Sequence, residues 1–185
     1  ISMGVTMLNS RLAEIRQQAN PPFTGASAGY GDFFVAKTKN AFGVDASSKI
    51  DGIELAMKTI LEETERARRF GFTETEYDRA RANYLQRVES AYNEREKMKN
   101  DTYVNEYISN FLDNEPMPGI EYEYAMMNQL APNIPVAAIN QVMQQLITDN
   151  NQVVLLAGPE KEGVKYPTKE EIAALLKQMK SFDLK

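Results

Sequence analysis

The side chains that could do chemistry in this sequence are carboxylates, guanidinium groups and hydroxyls, because the chain has neither histidine nor cysteine. Without histidine there is no imidazole base, no Ser-His-Asp triad and no histidine-ligated metal. Without cysteine there is no thiolate nucleophile, no thiolate zinc site and no disulfide. The composition therefore excludes much of common hydrolytic chemistry for this chain by itself.

The acidic residues form short groups, which raises the question of a metal site. Carboxylates two residues apart do not share a helix face, and no loop offers converging oxygens with a turn glycine as an EF-hand does. We interpret the acids as solvated helix faces that pair with neighbouring arginines on the surface. We therefore predict no catalytic residue and no metal ligand in this chain. The groups are Glu62/Glu63/Glu65, Glu121/Glu123 and Glu170/Glu171, with Arg66/Arg68/Arg69 and Arg79/Arg81 opposite them.

A glycine-rich stretch at residues 20–34, NPPFTGASAGYGDFF, is the remaining candidate site. It lacks the G-x-x-x-x-G-K-[ST] and G-x-G-x-x-G patterns, and its helix comes before the glycines, so we do not expect a phosphate site. Small residues on a strand let another backbone approach closely. Two interpretations stay open: tight packing of the preceding helix on this strand, or an edge that accepts a peptide by strand addition.

Charge and hydropathy exclude two classes of partner. The net charge is −5 with a pI near 5.0, and no basic block stands apart from acids, so we expect neither nucleic acid nor an anionic membrane surface as partner. No apolar run reaches the ~20 residues that span a bilayer. The chain opens with ISMGV and ends with SFDLK. We expect an internal piece of a longer polypeptide.

Hydrophobic periodicity predicts the elements that must position these residues. Asn20-Pro21-Pro22 ends the first helix, Gly71 ends the second, and Thr73 with Glu76 forms a capping box that opens the third. A second capping box, Thr168 with Glu171, opens the last helix. The predicted elements are helices at 4–18, 50–70, 74–99, 101–113, 120–130, 135–147 and from 168, a hairpin over 23–47, and a strand at 152–157. This order predicts an α+β fold, with an antiparallel or mixed sheet and several helices packed on one face.

Several phrases in this order resemble the insulinase-like (pitrilysin, M16) zinc metallopeptidases, in one of their non-catalytic α+β domains. They are MLNSRLAEIRQQ, the hairpin at 23–47, GIELAMKTILEETERARRFGFTETEYDRARANYL, and NNQVVLLAGPEK. The resemblance implies a domain over 1–163, lacking preceding strands, and a C-terminal helix or linker over 164–185 that leads to a following half. It also implies that zinc belongs to another domain of the parent enzyme, whose H-x-x-E-H motif is absent here, so this chain itself carries no cofactor.

The function that the resemblance implies is a wall of the proteolytic chamber that helps to hold peptide substrate. A second possibility is a structural or assembly domain of a catalytically inactive relative, and a third is a free-standing peptide-binding module. The implied partners are peptide and the other domains of the polypeptide, with a dimer of the fragment if its sheet edge is exposed. The compartment stays open between bacterial periplasm and cytoplasm.

Two family features match residues of this chain. Arg16 and Phe23 keep the spacing of a substrate-binding Arg and Tyr of the family's last domain, although a phenyl ring cannot donate a hydrogen bond. Ala28, Gly29, Tyr30, Gly31 and Asp32 match a hairpin edge of the second domain that binds peptide by strand addition, with Phe33 and Phe34 adjacent. The phenylalanine at position 23 and the charged tail favour the second domain of the first half.

Overall fold

The computed structural model describes residues 1–33, 36–160, 165–179 and 181–184, with the side chains of residues 36–38 left undescribed. These residues form seven α-helices and two β-strands in an α+β fold, which confirms the predicted class. The helices are α1 (Ser2–Arg16), α2 (Ile53–Phe70), α3 (Glu74–Asn93), α4 (Asn100–Asp113), α5 (Ile120–Leu130), α6 (Val136–Leu146) and α7 (Lys169–Met179). The strands are β1 (Gly25–Phe33) and β2 (Ala36–Ser47).

The chain divides into two compact units. Unit 1 comprises Ile1–Glu76 and Val136–Lys185, and unit 2 comprises Tyr77–Pro135. The boundary predicted at 163/164 falls outside the described residues. The following segment carries α7, and Met179 at the end of α7 and Leu184 beyond it are buried.

The core of unit 1 forms around α1. The largest fully buried side chains are Phe23, Met7, Leu8, Leu12 and Met143. A side chain at Gly4 would collide with that of Met143, so the glycine permits the close approach of α1 to α6. The packed helix in turn fixes the position of β1, which α1 contacts.

β1 and β2 form an antiparallel hairpin, the only sheet among the described residues. The register pairs Ala28 with Val44 and Gly29 with Gly43, which places alternate residues on opposite faces. A Cβ built at Gly25, Gly29, Gly31 or Gly43 meets no atom within 4 Å. The preceding helix packs on this strand at Ala28 and not at these glycines. Buried Ala28 lies on the face that α1 covers, and the glycine face is open.

The C-terminal half of α2 carries a network of ion pairs that is more buried than the sequence suggests. Glu63 and Glu65 are each only 8% exposed, so the interpretation of these two acids as solvated surface groups is wrong. Glu65 accepts hydrogen bonds from Arg68 and Arg69, and Glu63 accepts one from Arg66. Burial of a carboxylate is tolerated when it is paired and hydrogen-bonded, as both are here.

The same arginines attach the C-terminal segment to α2. Arg69 donates to the carbonyl oxygens of Met179 at 2.8 Å and Phe182 at 3.0 Å, and Arg66 donates to that of Leu184 at 3.3 Å. The last carbonyls of a helix have no partner within the helix, and cations stabilise that end. The arginines of α2 therefore complete the end of α7 and fix the segment that follows it.

Unit 2 is organised around an aromatic stack. The rings of Tyr92 and Tyr124 lie 4.4 Å apart and nearly parallel, and the guanidinium of Arg95 lies 4.3 Å from the Tyr92 ring centre. The Tyr77 hydroxyl donates to the carbonyl of Ile134 at 2.7 Å. The apolar side chains of α4 remain exposed, up to 83% for Phe111, and line an open hollow of about 370 Å³.

The predicted strand at 152–157 does not form; the segment has no regular secondary structure. Val153 is 68% exposed and Leu155 is 74% exposed. A strand needs a partner for its N–H and C=O groups, and among the described residues the sheet consists only of β1 and β2. The sequence has the composition of a buried strand, but its ladder partner is absent from this part of the chain.

Candidate functional site

The candidate site is the edge of β1 that faces away from β2. In its middle, the Ala28 N–H donates to Asn9 Oδ1 at 2.7 Å and Asn9 Nδ2 donates to the Ala28 carbonyl oxygen at 2.9 Å. Asn9 lies on α1, so one side-chain amide forms the two hydrogen bonds that a neighbouring strand would form. We call this pair of bonds the Asn9 clamp.

The Asn9 clamp shows which backbone groups point outward. In an antiparallel pair, successive residues direct their N–H and C=O alternately toward the partner strand and away from it. Because Ala28 is bonded by Asn9, the residues at even positions, Ala26, Tyr30 and Asp32, direct theirs to the same outer edge. Gly29 and Gly31 direct theirs to β2. The edge therefore presents strand-type donors and acceptors from non-glycine residues.

The predicted peptide-binding residues fall into two groups by exposure. Gly29, Tyr30, Gly31 and Asp32 are exposed, with Tyr30 at 40%, whereas Ala28 is only 8% exposed and lies beneath α1. Side chains also bond across the hairpin, where the Ser27 hydroxyl contacts Asp45 Oδ1 at 2.8 Å. The structure thus gathers residues 29–32 into one accessible stretch beside the clamp.

The other predicted site residues lie elsewhere. Arg16 is the exposed last residue of α1. Phe23 is 1% exposed, so its ring is part of the core and offers no surface to a substrate in this structure. Phe33 is half-buried at the end of β1, and Phe34 lies outside the described residues.

A second polar cluster lies at the joint between α2 and α3, where side chains of α1 and α6 bond the connecting residues. Arg11 pairs with both oxygens of Glu76, at 2.5 and 3.0 Å, and donates to the Gly71 carbonyl at 2.9 Å. Glu76 closes the capping box by accepting from the Thr73 N–H at 2.8 Å. Asn140 bonds both the N–H and the C=O of Phe72, at 2.8 and 3.0 Å.

The environment of Glu76 keeps its carboxylate charged. Burial raises the pKa of this group, but hydrogen bonds from Arg11 and Thr73 and the charge of Arg11 outweigh burial and lower the pKa to about 2. An acid that stays ionised at neutral pH and is fully paired is not available as a general acid. The joint is therefore a structural cluster.

The sequence and the fold of this chain were compared with those of known proteins. No protein-family model matches the chain. The chain is 30% identical over 159 residues to an Arabidopsis thaliana protein named zinc protease PQQL-like, a match that covers 86% of this chain and 14% of that protein.

Solved structures agree with this likeness. The periplasmic protease PqqL from Escherichia coli matches all of this chain over 20% of its own length, with a TM-score of 0.81 at 22% identity. A structure of the first half of that protease matches all of this chain over 39% of its length, with a TM-score of 0.80 at 20% identity. An insulinase-family protease from Yersinia pestis matches 96% of this chain over 38% of its own, with a TM-score of 0.77 at 11% identity. This chain has the fold of an insulinase-like (M16) domain.

The insulinase-like domain spans a small part of the proteins it matches, 14% of the plant protein and 20% of PqqL. The side chains that the structure describes do not fit zinc. Among the described residues, no group of three or more acidic side chains converges as a metal site. No helix in the same residues is both long and apolar enough to cross a bilayer.

The sequence prediction missed Asn9, the side chain that defines the edge. Its signal was present, because Asn is a poor residue for a helix interior and this one follows buried Met7 and Leu8. Because buried polar groups are usually hydrogen-bonded, an Asn beside such a stripe predicts a partner for its amide in the element packed there. The partner at Ala28 lies 19 residues away and could not be read from spacing.

Proposed function

We propose that this chain is a non-catalytic domain of a zinc-dependent metalloendopeptidase. In this proposal the domain forms part of the chamber wall and holds peptide on the outer edge of β1, while another domain of the same polypeptide holds the zinc. The likeness to a zinc protease and to PqqL supports the family of the parent, and the match to the first half of PqqL supports a place in that half.

The observation that carries the proposal is the outward direction of the β1 backbone. Tyr30 and Asp32 present N–H and C=O groups to the same edge as Ala28, and both residues are exposed. Strand addition uses such groups without regard to the sequence of the incoming peptide. The glycines beside them carry no side chains that would clash with the side chains of an added strand.

The expected affinity is low. Two outward residues offer four hydrogen bonds, each of which contributes about 0.5–1.5 kcal/mol net. After the cost of ordering the peptide, this corresponds to a dissociation constant on the order of a millimolar. A weak anchor of this kind would orient a peptide without retaining it, which is catalysis by positioning.

Fluorescence anisotropy with a labelled, unstructured Ser/Thr/Val peptide tests the proposal on unaltered protein. The peptide is compared with two modified versions, one N-methylated at every residue and one N-methylated only at alternate residues. Strand addition needs one edge with free N–H groups, so the fully methylated version should lose binding and the alternately methylated version should keep it. Equal binding of all three, or no binding by the unmodified peptide, would contradict a β1-edge site.

A structural or assembly role is the second candidate, and the exposed apolar side chains of α4 favour it. A domain of this role would bury those side chains against another domain or a second copy. Its parent would lack an H-x-x-E-H motif, and peptide would not bind at β1. Sequencing the full gene, together with the anisotropy experiment, separates the two candidates.

A further inference from the structure

We propose that Asn9 is a positioning residue that stops strand pairing along β1 at Ala28. It thereby restricts any added peptide to the Tyr30–Asp32 side of the strand. This inference rests on the proposed peptide-binding function for its substrate, but the clamp itself is tested below without peptide.

Two bonds of ordinary length make the clamp a substitute for a strand residue. The Ala28 N–H and C=O are both satisfied, at 2.7 and 2.9 Å, by atoms of one planar amide. A side-chain amide has the same donor and acceptor as a peptide unit, so it fills the position that a ladder partner would take. An incoming strand cannot bond Ala28 unless Asn9 leaves.

Asn9 cannot leave easily. It projects from the middle of α1, whose neighbours Met7, Leu8 and Leu12 are at most 1% exposed. These contacts hold Asn9 against β1 in the native chain, and loss of the clamp would leave the partly buried Ala28 groups unpaired. The clamp divides the outer edge into a single position at Ala26 and a longer stretch at Tyr30 and Asp32.

The same arrangement occurs at a second place, where it provides a matched control. Asn140 bonds the N–H and C=O of Phe72 at 2.8 and 3.0 Å, and Phe72 lies between α2 and α3 and not in a strand. Removal of Asn140 should cost stability in the same way as removal of Asn9. Only removal of Asn9 should change which residues of β1 pair with a peptide.

Amide hydrogen exchange, resolved by residue with NMR, tests the clamp in the free protein. In the native chain the Ala28 amide should exchange slowly, and in Asn9→Ala it should exchange at least ~10-fold faster, with the Gly29 and Gly31 amides unchanged. Asn140→Ala should leave Ala28 protected. Continued protection of Ala28 in Asn9→Ala would overturn the clamp.

The second measurement maps the footprint of the Ser/Thr/Val peptide. In the native chain, protection should appear at Tyr30 and Asp32 and not at Ala26. In Asn9→Ala it should extend to Ala28 and Ala26, with binding about 10-fold tighter from the two hydrogen bonds gained at Ala28. Asn140→Ala should keep the native footprint and affinity.

Three outcomes separate the two proposals. An extended footprint in Asn9→Ala alone supports the positioning role. An unchanged footprint in all variants would show that Asn9 only joins α1 to β1, and would leave the peptide site standing. If no variant binds peptide, the proposed function fails. In that case self-association in sedimentation experiments decides whether Asn9 stops strand pairing at Ala28. Asn9→Ala should then self-associate through its opened β1 edge, and Asn140→Ala should not.

Discussion

The ion pair of Arg11 and Glu76 should make the stability of this domain depend on pH in a defined window. Glu76 is 19% exposed and has its pKa lowered from 4.5 to about 2, chiefly by hydrogen bonds from Arg11 and Thr73 that outweigh the opposing effect of burial. The perturbation is Glu76→Gln, which keeps the size of the side chain and removes its charge. It also leaves the Arg11 guanidinium without a counterion.

The direction of the pH effect on stability follows from the lowered pKa of Glu76. The folded state binds the proton of Glu76 less readily than the unfolded state, so the contribution is complete above pH 4.5 and is lost as the pH falls toward 2. A shift of this size corresponds to about 3 kcal/mol at full burial. Because water reaches part of this pair and screens it, we expect about 1–2 kcal/mol.

Urea denaturation of native and Glu76→Gln protein at several pH values between 7 and 2.5 measures the effect. The chain offers a matched control in Glu171, which closes a second capping box by accepting from the Thr168 N–H at 2.7 Å and whose pKa is lowered by hydrogen bonds from Thr168. At pH 7, Glu76→Gln should lose more stability than Glu171→Gln. Between pH 4.5 and 2.5, the stability of Glu76→Gln should fall less than that of the native protein, because the variant lacks the Glu76 carboxylate. Equal losses for the two variants would refute the assigned role of Arg11.

Two further predictions concern the backbone and the C-terminal segment. Gly71→Ala should destabilise the protein by at least about 2 kcal/mol, since its φ is +70° and the new methyl would strike the Asn140 amide. Gly119→Ala, at φ +75° with open space around it, should cost less, and chemical denaturation of both separates the clash from the backbone strain. Arg69→Met should release residues 181–184 to rapid hydrogen exchange by removing the bonds to the Met179 and Phe182 carbonyls, whereas Arg87→Met, at an exposed position, should not. Unchanged exchange in Arg69→Met would show that apolar burial alone fixes the segment.

Local chemistry made part of this fold predictable. Both capping boxes form as the sequence indicates, because each needs only a hydroxyl and a carboxylate three residues apart. The end of α2 at Gly71 follows from the freedom of glycine at positive φ. Such signals depend on residues within one turn of the chain, so they form independently of the rest of the protein.

Long-range pairing explains the errors. The acids of α2 resembled a solvated face because the carbonyls that hold their arginines lie more than a hundred residues further on. The segment at 152–157 has the composition of a buried strand, yet a strand is a property of two segments, and composition reports only one. Its valines and Leu155 are exposed, as expected of an apolar segment that has no ladder partner among the described residues.

The hairpin has an open face and outward hydrogen-bonding groups. The sequence suggested that the glycines provide both, but in the structure they belong to different residues. Gly29 and Gly31 open one face of the sheet, but their backbone groups point to β2, whereas the outward hydrogen-bonding groups belong to Tyr30 and Asp32. Proline at either glycine would therefore break the hairpin and reveal nothing about peptide. Tyr30→Pro instead removes one outward donor and keeps the ladder, so it should weaken peptide binding with little loss of stability. A variant that unfolds, or that binds as the native chain does, would show that the outward direction of β1 has been assigned wrongly.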